Sequence, residues 1–324
     1  MLHSSHKKRV AVLRGGPSSE YDISMQTGSG VLKALENSPY TTKDIIIAKN
    51  GEWLHNGFVK KPHEALLDID VVFIGLHGTY GEDGTVQRML ERFNIPYTGS
   101  NSYASAIALN KALTKDHLKK HSAIKLPPHI KITRNGATHL AQTLHTVSEL
   151  FGPEYVVKPV SGGSSIGTML VSKPDLFNAV SQALLDSEEV LVEKRIIGKE
   201  ATVGVLEKFR QEMVYVLPPI EIVPPASAQF FSADVKYTGQ TEEICPGRFS
   251  KDEKKELMKV AQEVHTLLGL RHYSRSDFIV TPQGVYFLEV NTLPGLTPHS
   301  LFPKSMDAVG SSYSELVVHL IETA

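Results

Sequence analysis

Residues 9–13 form a short apolar run that stops at Gly15 and Gly16, the pattern of a strand entering a tight turn. Residues 70–76 repeat it, ending in His77-Gly78 and a loop from Gly81 to Gly84. Val86, Met89, Leu90 and Phe93 then recur at i, i+3, i+4 and i+7, which predicts a helix. Near-continuous apolar strands alternating with helices indicate βαβ units and a parallel sheet covered on both faces. The first hundred or so residues therefore read as an open α/β domain, whose ligands belong beyond the carboxyl ends of its strands. Both glycine turns fall there.

The pattern changes after Pro127-Pro128. A helix is expected over residues 137–151, followed by strands over residues 155–160, 168–171 and 190–194. The first of these runs into the loop Ser161-Gly162-Gly163-Ser164-Ser165-Ile166-Gly167. Residues 217–225 hold four prolines and read as an extended edge or linker, because proline cannot donate to a sheet ladder. Ser250 and Glu253 have capping-box spacing ahead of Leu257, Val260, Ala261, Val264, Leu267 and Leu268, and Gly269 ends that helix. Residues 277–280 and 285–290 flank Thr281-Pro282-Gln283-Gly284 as a hairpin. Trp53 and its polar neighbours read as a surface hairpin.

Composition mainly excludes. The 324 residues are 41% hydrophobic and 21% charged, which rules out disordered and fibrous classes. Lys plus Arg is 34 against 35 for Asp plus Glu, a balance that argues against a dedicated nucleic-acid or anionic-membrane binder. Cys245 is the only cysteine, so no intramolecular disulfide forms. The first eight residues are polar and no apolar run reaches membrane-spanning length, so a soluble cytoplasmic protein is expected.

Candidate chemistry concentrates in two places. With the hairpin centred on Gln283, Asp277 lies opposite Glu289 and Arg275 opposite Asn291, all on one sheet face. Two carboxylates and an amide oxygen make a hard, oxygen-rich set suited to Mg²⁺. A solvated outer face with the register slipped by one residue is the other reading. The glycine–serine loop after Lys158 would let backbone N–H groups turn toward phosphate, with Lys158 as a point charge; taken alone, the loop reads rather as an ordinary glycine-rich hairpin tip. No Walker sequence, complete dinucleotide fingerprint or nucleophile elbow occurs, and His117 and His121 lack the glutamate of a zinc protease.

Taken in order along the chain, these segments resemble the D-alanine–D-alanine ligase family of the ATP-grasp superfamily. The resemblance runs through Gly15-Gly16-Pro17-Ser18-Ser19-Glu20, Leu76-His77-Gly78, Gly81-Glu82-Asp83-Gly84 and Asn110-Lys111. It continues in Val157-Lys158-Pro159, the serine loop, Glu193-Lys194, Gly198-Lys199-Glu200 and Lys236-Tyr237. Arg275-Ser276-Asp277, Glu289-Val290-Asn291-Thr292, Pro294-Gly295-Leu296-Thr297 and His299-Ser300-Leu301 complete it.

The resemblance implies an N-terminal open parallel-sheet, Rossmann-like substrate domain over residues 1–108. A two-lobed ATP-grasp fold would occupy residues 109–324, with the small lobe at 109–198 and the large lobe at 199–324. Lys111 and Lys158 would contact the ATP phosphates, with Ser164 and Ser165 closing over them. Glu193, Lys194 and Ile196 match the adenine segment, Glu200 the ribose contact and Lys236 a further nucleotide contact. Asp277, Glu289 and Asn291 match the ligands of Mg²⁺ or Mn²⁺, with two ions implied. Glu20 would bind the ammonium of the first D-alanine and His77 line its pocket, while Ser300 and Leu301 hold the carboxylate of the second. Arg275 and the backbone near Gly295 would stabilise the tetrahedral oxyanion, and Glu20, Ser164 and Tyr237 would form the closure device.

Tyr237 favours a dipeptide-forming enzyme over a D-lactate relative. Two departures stand out: Ser161-Gly162-Gly163 in place of charged residues, and Arg14 at a usually apolar position. The implied product serves peptidoglycan synthesis, and the implied assembly is a homodimer. A ligase for another D-amino acid or for D-lactate, and a non-catalytic nucleotide-binding relative, are the alternative readings.

Overall fold

The computed structural model describes residues 7–121, 124–163, 165–225 and 241–324. Its first part contains β1 (Arg9–Gly15), α1 (Tyr21–Leu35), β2 (Thr41–Ile47), β3 (Trp53–His55), β4 (Phe58–Lys60), α2 (Pro62–Ala65), β5 (Val71–Ile74), α3 (Thr85–Phe93), α4 (Ser102–Leu109) and α5 (Lys111–Leu118). β1 sits between β2 and β5, parallel to both, and β3–β4 extend the sheet as an antiparallel hairpin in the order β4-β3-β2-β1-β5. Val10 through Leu13 and Val71 through Ile74 are buried, as a parallel sheet covered on both sides requires. The hairpin forms where expected, but Trp53 is not at the surface: it is 2% exposed, and its Nε1–H donates to the Tyr80 hydroxyl at 3.1 Å. The exposed strand of that hairpin is β4. Arg14 is accounted for by Asp44 on the neighbouring strand, which receives its Nε–H at 2.8 Å.

A second, four-stranded antiparallel sheet has the order β6-β9-β7-β8, built from β6 (His129–Thr133), β7 (Glu154–Pro159), β8 (Met169–Ser172) and β9 (Glu189–Lys194). α6 (Leu140–Phe151) and α7 (Leu176–Asp186) cover its apolar face. α6 starts three residues later than its apolar spacing predicts, because Arg134–His139 forms a 3₁₀ turn in which the Thr133 hydroxyl takes the Gly136 N–H at 3.1 Å.

The third sheet is antiparallel and larger: β10 (Lys199–Phe209), β11 (Glu212–Val216), β12 (Ile220–Val223), β13 (Glu242–Ile244), β14 (Tyr273–Thr281) and β15 (Gly284–Asn291). The proline-rich stretch corrects the linker expectation. β12 is paired on both sides, to β10 and to β13, because its four prolines flank the strand and leave its own N–H groups free to donate. α8 (Lys251–Leu267) packs Leu257, Val260, Ala261 and Val264 against this sheet. Its capping box forms as spaced, with the Ser250 hydroxyl accepting the Glu253 N–H at 3.2 Å and Glu253 Oε2 accepting the Ser250 N–H at 2.7 Å.

The last helices are α9 (Leu301–Ala308) and α10 (Tyr313–Thr323). Leu316, Val317, Leu320 and Ile321 share one core with β1, β5 and α1. The chain therefore returns to its first sheet, and burial of these side chains ties the first and third sheets together.

The capping box gives a stability test remote from any cleft. Ser250→Ala leaves the Glu253 N–H without its acceptor and should lower unfolding free energy by about 1 kcal/mol. A urea midpoint unchanged from wild type would contradict that.

Candidate active site

The β14–β15 hairpin places Asp277 opposite Glu289 and Arg275 opposite Asn291. The register arises by a route the alternation does not reveal. The turn is tighter than one centred on Gln283, since Thr281 pairs with Gly284 across a two-residue tip. An irregularity between Asp277 and Phe278 then takes up Leu288 as an extra residue and restores the pairing at the site. Thr202 on β10 lies beside Asp277 and donates its hydroxyl to Oδ1 at 2.5 Å. Arg275 donates to both Asp277 oxygens, at 3.1 and 3.2 Å, and the buried guanidinium is raised above its usual range chiefly by that carboxylate, against the cost of burial. Asn291 Oδ1 accepts the Leu293 N–H at 2.9 Å. Asp277, Glu289 and Asn291 thus form a half-buried, oxygen-only donor set on one sheet face, of the type a hard divalent cation takes.

Two cavities meet at this face. The first, about 300 Å³, lies between the second and third sheets. Lys158, Ser165, Glu193, Lys194, Ile196, Glu200, Asp277 and Glu289 line it. The second, about 470 Å³, lies between the first and third sheets and is lined by Glu20, His77, Glu82, Lys111, Asn291, Gly295 and Ser300. Arg275, Glu289 and Leu301 line both, so the cavities adjoin through the hairpin. Every sequence-derived candidate among the described residues lines one cavity or the other; Ser164, Lys236 and Tyr237 lie outside the described residues.

Charges alternate across the first cavity. Lys158 Nζ is 2.9 Å from Glu193 Oε2, and Lys115 Nζ is 2.9 Å from Glu193 Oε1. Burial alone would raise Glu193; the two ammonium groups overcome it and hold the carboxyl at about 2. The Glu193 side chain matched to an adenine contact is thus engaged by two lysines. Lys111 Nζ lies 3.4 Å from Glu289 and donates to the Gly162 carbonyl at 2.6 Å, joining the glycine loop to the hairpin carboxylate.

In the second cavity, His77 is buried between Thr27 and Leu293. A carbonyl only accepts, so Nδ1–H donates to Leu293 O at 3.0 Å and Nε2 accepts the Thr27 hydroxyl at 2.8 Å. That tautomer is neutral, in agreement with the downward shift that burial imposes on His77. Glu82 is raised to about 8 by burial and by the nearby Glu20 carboxylate, so it holds its proton at neutral pH. Gly78 and Gly163 both press against Glu20: a Cβ on either would come within 2.8 and 3.0 Å of its Oε2. Gly78 also has φ +69°, so glycine is needed there for conformation as well as space. Ser300 Oγ accepts the Thr297 N–H at 3.1 Å and lies 2.8 Å from Thr297 Oγ1, which fixes the hydroxyl at the mouth of α9.

Three of these residues carried no assignment from the sequence. Thr202 offers no signal before the third sheet is formed. Glu82 stands in a quoted motif without a role. Lys115 was legible in part, since it occupies the buried stripe of α5 with Ala112 and Leu118, where a lysine is costly unless paired.

A small antiparallel sheet facing a larger one, with lysines and carboxylates opposed across the gap, defines the ATP-grasp class of fold. Within that class the chain belongs to the D-alanine–D-alanine ligase family. The family described as D-ala D-ala ligase C-terminus matches residues 118–322, and D-ala D-ala ligase N-terminus matches residues 9–66 and 55–100. Similar proteins include the D-alanine–D-alanine ligase of Syntrophobacter fumaroxidans, 38% identical over 99% of each chain. That of Geobacter sulfurreducens is 38% identical over 98% of this chain and 94% of its own. Among solved structures, the VanG D-Ala:D-Ser ligase of Enterococcus faecalis superposes with a TM-score of 0.84 at 28% identity, covering 98% and 99% of the two chains. The Bacillus anthracis D-alanine–D-alanine ligase complexed with ATP gives 0.80 at 33% identity, covering 98% and 97%.

The raised Glu82 carboxyl sets a pH dependence. Its folded value lies above its unfolded one, so the native chain retains a proton that the unfolded chain releases. Stability is therefore lost as pH rises from about 4.5 toward about 8. Glu82→Gln keeps an acceptor for the Gly78 N–H and removes the titration. It should unfold within about 1 kcal/mol of wild type in urea near pH 5 and be more stable by about 4 kcal/mol near pH 8. An equal offset at both pH values would exclude this origin.

Proposed function

We propose that the protein is a D-alanine–D-alanine ligase, joining two D-alanines at the expense of ATP through a D-alanyl phosphate for peptidoglycan synthesis. The observation that carries the reading is the shared wall of the two cavities. Arg275 and Glu289 face both, so a phosphoryl donor in the first would meet a carboxylate acceptor in the second. The domain division is 1–108, 109–198 and 199–324, with α10 packed back onto the first sheet.

Moving a phosphoryl group onto a carboxylate brings two anions together, so charge must be neutralised before reaction. Lys158 and Lys111 supply cationic groups on the phosphate side, with Ser164, Ser165 and Lys236 as further nucleotide contacts and Lys194, Ile196 and Glu200 along the nucleoside. Asp277, Glu289 and Asn291 would hold Mg²⁺ or Mn²⁺, two ions in all, which when bound neutralise phosphate charge. Glu20 takes the ammonium of the first D-alanine in a recess walled by Gly78 and Gly163. Ser300, oriented by Thr297, and the Leu301 backbone at the start of α9 take the carboxylate of the second.

The amine of the second D-alanine then attacks the acyl phosphate carbonyl and phosphate leaves. Arg275 and the backbone at Gly295 face the developing oxyanion. Positioning and electrostatics carry the rate, and no side chain becomes covalently attached. Closure by Glu20, Ser164 and Tyr237 keeps water from the acyl phosphate. Among the described residues no helix is long and apolar enough to cross a membrane. A cytoplasmic homodimer is part of the same reading, and light scattering tests the assembly.

The direct test is ADP release in a coupled assay. Release should require both D-alanine and a divalent cation, and L-alanine should not replace D-alanine. Asp277→Ala should stay folded and lose at least about a hundredfold in kcat. Equal turnover with L-alanine would sink the substrate assignment, and unaltered metal dependence in Asp277→Ala would sink the ligand assignment.

A further inference from the structure

Lys115 is the most deeply buried cation of the cluster. Its side chain is fully enclosed, at 0% exposure, and it lines neither cavity. It therefore cannot touch nucleotide or amino acid. Its one close charged partner is Glu193, itself 2% exposed, whose other oxygen holds Lys158. The two groups meet as a buried ion pair at 2.9 Å.

The sum of charges gives this arrangement a meaning. Glu193 with Lys158 alone would be a closed, neutral ion pair, with the lysine's field spent on its neighbour. With Lys115 present the buried set carries two positive charges and one negative, and of its two lysines only Lys158 reaches the cavity. An unbalanced cation enclosed in low dielectric is costly unless an anion arrives to meet it. The next pair outward, Lys111 with Glu289, is balanced and does not supply the excess.

We infer that Lys115 is a positioning residue for the nucleotide phosphates: it neutralises Glu193 from beneath the cavity floor and so leaves the charge of Lys158 free for phosphate. The inference rests on the ligase reading and adds to it a residue that acts only through Glu193. Burial pulls the Lys115 ammonium below its usual range, and the Glu193 carboxylate opposes that pull.

The test is calorimetric titration of the full-length protein with ADP and, separately, with adenosine, which lacks phosphate. Lys115→Met should weaken ADP by roughly tenfold or more while adenosine changes by less than about twofold. The double variant Lys115→Met/Glu193→Gln removes one charge of each sign and again leaves Lys158 uncancelled. Its ratio of ADP to adenosine affinity should return to within about threefold of wild type. Taking that ratio cancels any loss of adenine contact at Glu193. If Lys115→Met does not fold, Lys115→Gln, which also removes the charge, takes its place in the same comparison.

A wild-type ratio in Lys115→Met, or a double variant no better than the single one, would overturn the inference, because a purely structural lysine predicts no recovery. A wild-type protein that binds neither ADP nor adenosine would instead overturn the ligase reading beneath it.

Discussion

One buried carboxylate holds the catalytic half of this molecule together. Glu193 on β9 receives Lys158 from the adjacent strand β7 and Lys115 from helix α5, which precedes the small sheet in the chain. Each of these charges would be expensive alone in a protein interior, and removing the carboxylate leaves two buried lysines uncompensated. The small sheet is therefore not free to drift relative to α5. Lys111, one helical turn before Lys115, is fixed with it and reaches Glu289 on the hairpin of the third sheet. A chain of opposite charges thus runs from the small sheet to the metal-type hairpin.

The apolar framework serves the same end from the other side. The return of α10 to the first sheet keeps Glu20 and His77 beside Asn291, Gly295 and Ser300. Two cavities sharing Arg275 and Glu289 then follow from how three sheets are joined, not from any single loop. That geometry suits a reaction in which phosphate and amino acid must be bound separately and react at a common wall. The neutral His77 and the protonated Glu82 fit within it, since burial disfavours a charge on either.

Much of this was readable in the chain, though not always for the right reason. Periodicity located β1, β5, α3 and α8 well, because the two strands are apolar on both faces and the two helices bury one continuous stripe. The opposition of Asp277 and Glu289 was also readable, yet it depends on a tighter tip and the extra residue Leu288, whose effects cancel at the site. Alternation alone cannot reveal a bulge. The prolines around β12 misled because their number suggested an edge while their positions flank a paired strand. Trp53 was misread because its neighbours in sequence are polar while its neighbour in space is Tyr80. Pairings between distant elements, such as Lys115 with Glu193, were beyond reach: the buried stripe of α5 shows that Lys115 needs a partner, and only the fold shows which.

The central claim is that the two cavities meet so that a carboxylate receives the phosphoryl group of ATP before the amine attacks. Oxygen labelling tests this most directly. With D-alanine carrying ¹⁸O in its carboxylate, one labelled oxygen should appear in each inorganic phosphate formed with the dipeptide, because the bridging oxygen of the acyl phosphate leaves with phosphorus. Inorganic phosphate free of the label at full dipeptide yield would contradict the account.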